Sequence, residues 1–195
     1  MGRVLPYRSP KAGEETTAFI GMVLFLGSWA MLFAAFLYSF GVLRSRAGVW
    51  PPPGMPEFPF GLLALNTLVI VASSAALVHG TRELRAGRGK SLGWWLVATF
   101  VLGSTFLALQ YRAWAALVAG GVTPGTGPYG SIFYALTGVH ALHVMVGLVA
   151  MLWLAARAAR DEFTAGAHLP IRLWGMYWHF VGVVWVIMLA VMRAA

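Results

Sequence analysis

The stretch GSIFYALTGVHALHVMVGLVAMLWLAA, residues 130–156, contains no Asp, Glu, Lys or Arg. A helix needs about 20 apolar residues to cross about 30 Å of hydrocarbon, and this run exceeds that length. Four further runs of the same kind lie at 16–43, 60–81, 91–111 and 173–192, again without a charged side chain. The reading is an all-α integral membrane protein, a bundle of five transmembrane helices in which residues 1–195 form one membrane domain. The first run is too long for a signal-peptide core, and no small-residue cleavage site interrupts it. It reads as a retained span that is tilted or extends beyond the bilayer.

Composition agrees with this class. Of 195 residues, 59% are apolar and 10% charged, against about 25% charged in a soluble domain. Mean hydropathy is +0.75. A chain this short cannot hide so much apolar surface in one compact core. The net charge of +8 has two ordinary meanings, nucleic-acid binding or basic membrane edges. The basic residues fall between apolar runs rather than along one helical face, so no nucleic-acid partner is expected. The absence of cysteine excludes disulfides, thiolate metal sites, iron–sulfur clusters and cysteine nucleophiles.

The connections are short. Residues 44–59 include Trp50-Pro51-Pro52-Pro53, then Pro56 and Pro59, and residues 82–90 form a basic hairpin. Residues 112–129 hold Gly120, Gly121, Pro124, Gly125, Gly127 and Pro128, which break a helix. Residues 157–172 are polar and mixed in charge. Ten basic residues lie on one side: Arg3, Arg8, Lys11, Arg82, Arg85, Arg88, Lys90, Arg157, Arg160 and Arg172. Four lie on the other: Arg44, Arg46, Arg112 and Arg193. The positive-inside rule then predicts a cytoplasmic N-terminus and an outside, periplasmic C-terminus.

With no charge inside a span, the usual marks of proton relays, ion paths and voltage sensors are missing. The histidines remain: His79, His140, His143, His168 and His179. A b-type haem between His143 and His179 needs both at one depth. At 1.5 Å per residue, His143 stands about 20 Å from the cytoplasmic end of its span and His179 about 9 Å from its own. A mismatch on the order of 10 Å disfavours a shared iron. His140 and His143, three apart, share a face, but two imidazoles without a third ligand make a weak metal site. The expectation is that each histidine hydrogen-bonds to a neighbouring helix or a lipid headgroup. Asn66 and Ser73 share one face of the second span, with Ser74 beside it, and Gln110 ends the third. Such residues normally mark helix–helix contact. Trp50, Trp94, Trp95, Trp114, Trp174 and Trp178 lie near predicted interfaces, where indole anchors are common.

Several segments resemble a known family. Tyr129-Gly130-Ser131-Ile132-Phe133 followed by Thr137-Gly138-Val139-His140-Ala141-Leu142-His143-Val144 is similar to the fourth span of five-helix subunit III proteins of haem–copper oxidases (the cytochrome c oxidase group). Tyr177-Trp178-His179-Phe180-Val181-Gly182-Val183-Val184-Trp185 resembles that family's last-span signature. Trp50-Pro51-Pro52-Pro53-Gly54, Leu65-Asn66-Thr67 with Ser73-Ser74, and Gly21-Met22 with Leu24, Phe25 and Ser28 fit in the same order. The chain resembles the short form, without the first two helices of longer members.

The resemblance implies an accessory subunit of a terminal respiratory oxidase in aerobic electron transport, a proton-translocating oxidoreductase complex whose active site lies outside this chain. No catalytic, cofactor or metal residue is expected here. Haem and copper are expected in partner subunits: subunit I as the main partner, subunit II, and a small subunit IV. The setting implied is multi-pass, in a bacterial inner (plasma) membrane. Family members retain structural phospholipid, sustain proton uptake and protect subunit I during turnover. Arg157, Phe163 and Thr164 match a pattern in which the arginine meets a lipid phosphate, and His168 joins them as a lipid-contact candidate. Asn66, Ser73, Gln110, His140, His143, Trp178, His179 and Trp185 are the signature and packing positions. Two alternatives keep the fold, a quinol oxidase and a nitric oxide reductase complex; a small transporter or membrane haem protein is an alternative of another class.

Four departures from the family pattern bear on mechanism. Trp29, Ala113 and Arg172 stand where the family has Glu, and Gly182 where it has Asp. The scaffold and lipid roles carry over; a carboxylate-based proton role does not.

Overall fold

The computed structural model describes residues 12–194. Arg3, Arg8 and Lys11, which enter the charge count above, lie outside the described residues. Five helices follow in order: α1 (Ala12–Arg46), α2 (Phe60–Arg85), α3 (Leu92–Ala119), α4 (Gly127–Ala158) and α5 (Leu169–Ala194). All five are long and apolar enough to span a membrane. A 3₁₀ turn at Gly89–Ser91 leads into α3.

Each helix runs past its apolar core. The largest difference is in α3, which continues eight residues beyond the predicted end at 111 and carries Arg112 within it. Hydropathy stops at a charge, but a helix stops only where the backbone must turn. Residues 112–119 contain no Gly or Pro, so the helix continues to Gly120.

Three helices end in the same way. After α2, the Gly87 N–H bonds to Leu84 O and Arg88 N–H to Glu83 O, with Gly87 at φ +80°. After α3, Gly121 and Val122 bond to Val118 O and Leu117 O, with Gly121 at φ +83°. After α4, Asp161 takes the left-handed position at φ 54°, and Glu162 N–H reaches Arg157 O. These are Schellman ends, with Asp at the place where Gly is usual.

Helices α2, α3, α4 and α5 form a ring in which each packs on its neighbours, while α1 packs against α4 and α5. Inside the ring stand two of the three tryptophans of α5, Trp178 and Trp185. Trp178 is fully buried, and its indole N–H donates to Ser73 Oγ of α2 at 3.2 Å. Its ring fills the space left by Gly103 of α3 and Gly147 of α4, where an added Cβ would stand 2.6 and 2.7 Å from it. Only glycine permits that approach. Trp178 is therefore a core pin rather than an interfacial anchor, which corrects the sequence expectation. Trp94, 79% exposed, does face outward.

Trp185, two turns on, is also buried and donates to Thr67 Oγ1 at 3.0 Å. The proline-rich loop folds over the other end of the ring. Phe58 stacks on Tyr129 at 4.7 Å and on Phe133 at 4.6 Å, and Tyr129 Oη donates to Pro56 O.

Candidate functional site

Several polar residues within the spans are tied from one helix to the next. Asn66 Nδ2 donates to Gln110 Oε1 at 3.3 Å, and Ser73 Oγ donates to Thr99 O at 3.0 Å, both joining α2 to α3. Trp114 Nε1 donates to Thr137 Oγ1 at 3.0 Å, joining α3 to α4, and Tyr177 Oη donates to His143 O at 3.0 Å, joining α4 to α5. Away from water an unmade hydrogen bond is costly, so these pairs fix which helix faces meet. Asn66 Oδ1 and Gln110 Nε2 remain without a partner.

The histidines separate. His140 is buried among Phe33 (6.0 Å), Phe106 (5.7 Å) and Trp185 (5.4 Å), and neither ring nitrogen has a hydrogen-bond partner. His143 bonds through Nδ1 to Val139 O of its own helix at 2.7 Å and meets the Trp29 ring of α1 at 4.1 Å. The expectation of a bond to a neighbouring helix fails at both, because the neighbours at this level offer aromatic rings rather than carbonyls. His143 looks toward α1, whereas His179, half-buried, lines a groove with Ile70 and Ser74 of α2. The structure does not bring those two together. No group of three His, Cys, Asp or Glu side chains arranged to hold a metal ion occurs among the described residues.

The lipid-contact candidates lie around the turn after α4. Because Asp161 turns the chain back, Glu162 meets Arg157, whose Nε donates to Glu162 Oε2. The Arg157 guanidinium also sits over the Trp153 ring at 4.8 Å and the Phe163 ring at 5.3 Å. Thr164 is exposed and exchanges backbone bonds with Ala167. His168 is half-buried, with a buried Nδ1 that has no partner. Arg157 and Phe163 are thus in contact, while Thr164 and His168 flank them along the chain. Sequence reading missed Glu162 as the partner of Arg157; the five-residue offset across a helix end was the available signal.

The four departures take definite places. Trp29 packs edge-on against His143 and Phe25, and Ala113 is buried inside α3. Arg172 and Gly182 both line the outer side of α2 and α5.

A ring of four helices with a fifth laid against it, joined by indole, amide and hydroxyl pairs, defines a multi-pass helical membrane protein whose interior is packing. Comparison with known proteins gives the family. The model of the family described as cytochrome c oxidase subunit III matches residues 13–193. A probable cytochrome c oxidase subunit 3 of Mycobacterium bovis is 33% identical over 97% of this chain and 94% of its own length. A cytochrome c oxidase subunit 3 of Synechocystis sp. is 31% identical over 90% of this chain and 75% of that protein. One from Latimeria chalumnae is 34% identical over 85% of this chain and 64% of that protein. The chain belongs to the cytochrome c oxidase subunit III family.

Proposed function

We propose that this chain is the non-catalytic accessory subunit of a haem–copper terminal oxidase that takes electrons from cytochrome c. It packs on subunit I, beside subunit II and a small subunit IV, in a bacterial inner membrane with its N-terminus in the cytoplasm. The observation that carries this reading is the family match over residues 13–193. Its contribution is mechanical and lipidic: residues 1–195 form one membrane domain that holds a lipid-bearing face against subunit I.

The arrangement around Arg157 supports lipid retention. Its guanidinium is held in place by Glu162 and two aromatic rings, so a phosphate arriving there meets a donor whose orientation is already set. No carboxylate-based proton role is assigned, because Trp29 fills the first-span position with an aromatic ring packed on His143.

Purification in mild detergent should co-elute subunit I, with haem absorbance in the complex and none in the isolated chain. A Soret band from the isolated chain would overturn the reading. Deleting the chain should shorten the turnover lifetime of the oxidase. A finding that Trp29→Glu is needed for proton uptake would sink the purely mechanical account.

A further inference from the structure

On the outer side of α2 and α5 a basic cleft and an apolar groove meet at His179. The cleft, about 340 Å³, is lined by Thr81, Arg82, Arg85 and Arg172 among others. The groove, about 310 Å³, continues past His179 along Ile70, Ser74, Gly182 and Ile187.

Three arginines therefore line one cleft, and none is within ion-pair distance of a carboxylate among the described residues. Glu83, between two of them in sequence, is turned to Arg88 by hydrogen bonds of 2.6 and 2.7 Å. Arg172 is steadied over the Phe19 ring of α1 at 5.1 Å. A Cβ added at Gly182 would stand in ordinary contact with Ser74 Oγ at 3.5 Å, so a side chain longer than Ala there would enter the groove. From Arg172 to Ile187 the helix rises about 22 Å, more than the roughly 15 Å that half of the hydrocarbon core requires.

We propose that the cleft and groove bind one anionic phospholipid. Its phosphate lies among Arg82, Arg85 and Arg172, and one acyl chain runs past His179 and Gly182 between α2 and α5. Guanidinium groups match phosphate oxygens with paired N–H donors, and a cytoplasmic arginine cluster favours anionic headgroups. A peptide segment suits the groove poorly, because its backbone N–H and C=O groups would find only Ser74 and His179 as polar partners there. The site is separate from the Arg157 turn, which lies beyond the end of α4. It depends on the spans being in lipid, not on which oxidase the chain serves.

The test counts phosphatidylglycerol and phosphatidylcholine bound to the full chain, purified with its partner subunits, by native mass spectrometry during stepwise delipidation. Wild type is expected to keep one phosphatidylglycerol after phosphatidylcholine is gone. Each of Arg82→Gln, Arg85→Gln and Arg172→Gln should weaken its retention about fivefold, and Arg172→Glu more. Gly182→Leu should expel the lipid with all three arginines intact, while Arg157→Gln leaves it bound. The arginines are exposed, so helicity by circular dichroism should not change.

Unchanged retention in the triple Arg→Gln variant would overturn the proposal. So would full retention in Gly182→Leu combined with displacement by millimolar inorganic phosphate, which would mark a free-anion site. Loss of a partner subunit from the triple variant with the lipid still bound would instead mark a protein interface and equally overturn it. Co-elution of subunit I with wild type reads the family role independently of all three.

Discussion

Helices α1 and α4 are almost equally apolar, with mean hydropathies of 2.2 and 2.0 over their most apolar windows, yet 6% of that window is buried in α1 and 56% in α4. In water such runs would compete for the core. In lipid they do not, since the solvent is as apolar as the side chains. Burial follows instead from where small and hydrogen-bonding residues meet partners. Gly147, Thr137 and Tyr134 of α4 meet Trp178, Trp114 and the carbonyl oxygens of Trp114 and Val122. Gly21, Gly27 and Gly41 of α1 meet nothing within 4 Å. Apolarity places a helix in the membrane; complementarity places it in the bundle.

This contrast predicts a graded set of effects on unfolding in mixed detergent. Trp178→Ala, in the ring, should cost about 3–5 kcal/mol, because it empties a cavity shared by three helices and leaves Ser73 without its indole donor. Gly147→Ala should cost about 1–3 kcal/mol, since its Cβ overlaps the Trp178 ring and the ring must move. Asn66→Leu or Gln110→Leu should each cost about 1–2 kcal/mol. The double variant should cost less than the sum, and strict additivity would mean that the pair is not coupled. Leu24→Ala and Met31→Ala, on the 69% and 75% exposed face of α1, should fall within about 0.5 kcal/mol in the isolated chain. If either α1 change matched Gly147→Ala, α1 would be held by its packing as firmly as α4. If either weakened co-elution of subunit I without changing stability, α1 would be the helix left open for a partner.

The number of spans, their approximate places and the family were legible in the sequence because lipid imposes a simple rule on each segment alone. The end of α3 was not, because hydropathy falls at Arg112 while nothing in residues 112–119 stops a helix. Trp178 reads both as a packing position, from the family signature, and as an interfacial indole, from its depth. Its position a few residues into the span says nothing of Gly103 and Gly147 on two other helices. His140 reads from sequence as a hydrogen-bonding group, yet it sits in a socket made by α1, α3 and α5. Arg157 is singled out by the family resemblance, but its pairing with Glu162 needs the left-handed turn at Asp161. What escaped at Trp178 and His140 was a property of several helices together.

The socket made by Gly103 and Gly147 also sets an order of assembly. Among the five helices, α5 leaves the ribosome last, and it alone carries both indole pins. The halves of the socket stand on α3 and α4, and the hydroxyls that receive the indoles stand on α2. Until α5 arrives, the earlier spans hold a vacancy the size of a tryptophan ring, and nothing latches α2 to α4. The ring is closed by its final member, so a chain interrupted before residue 178 leaves a bundle that has not yet committed to its shape.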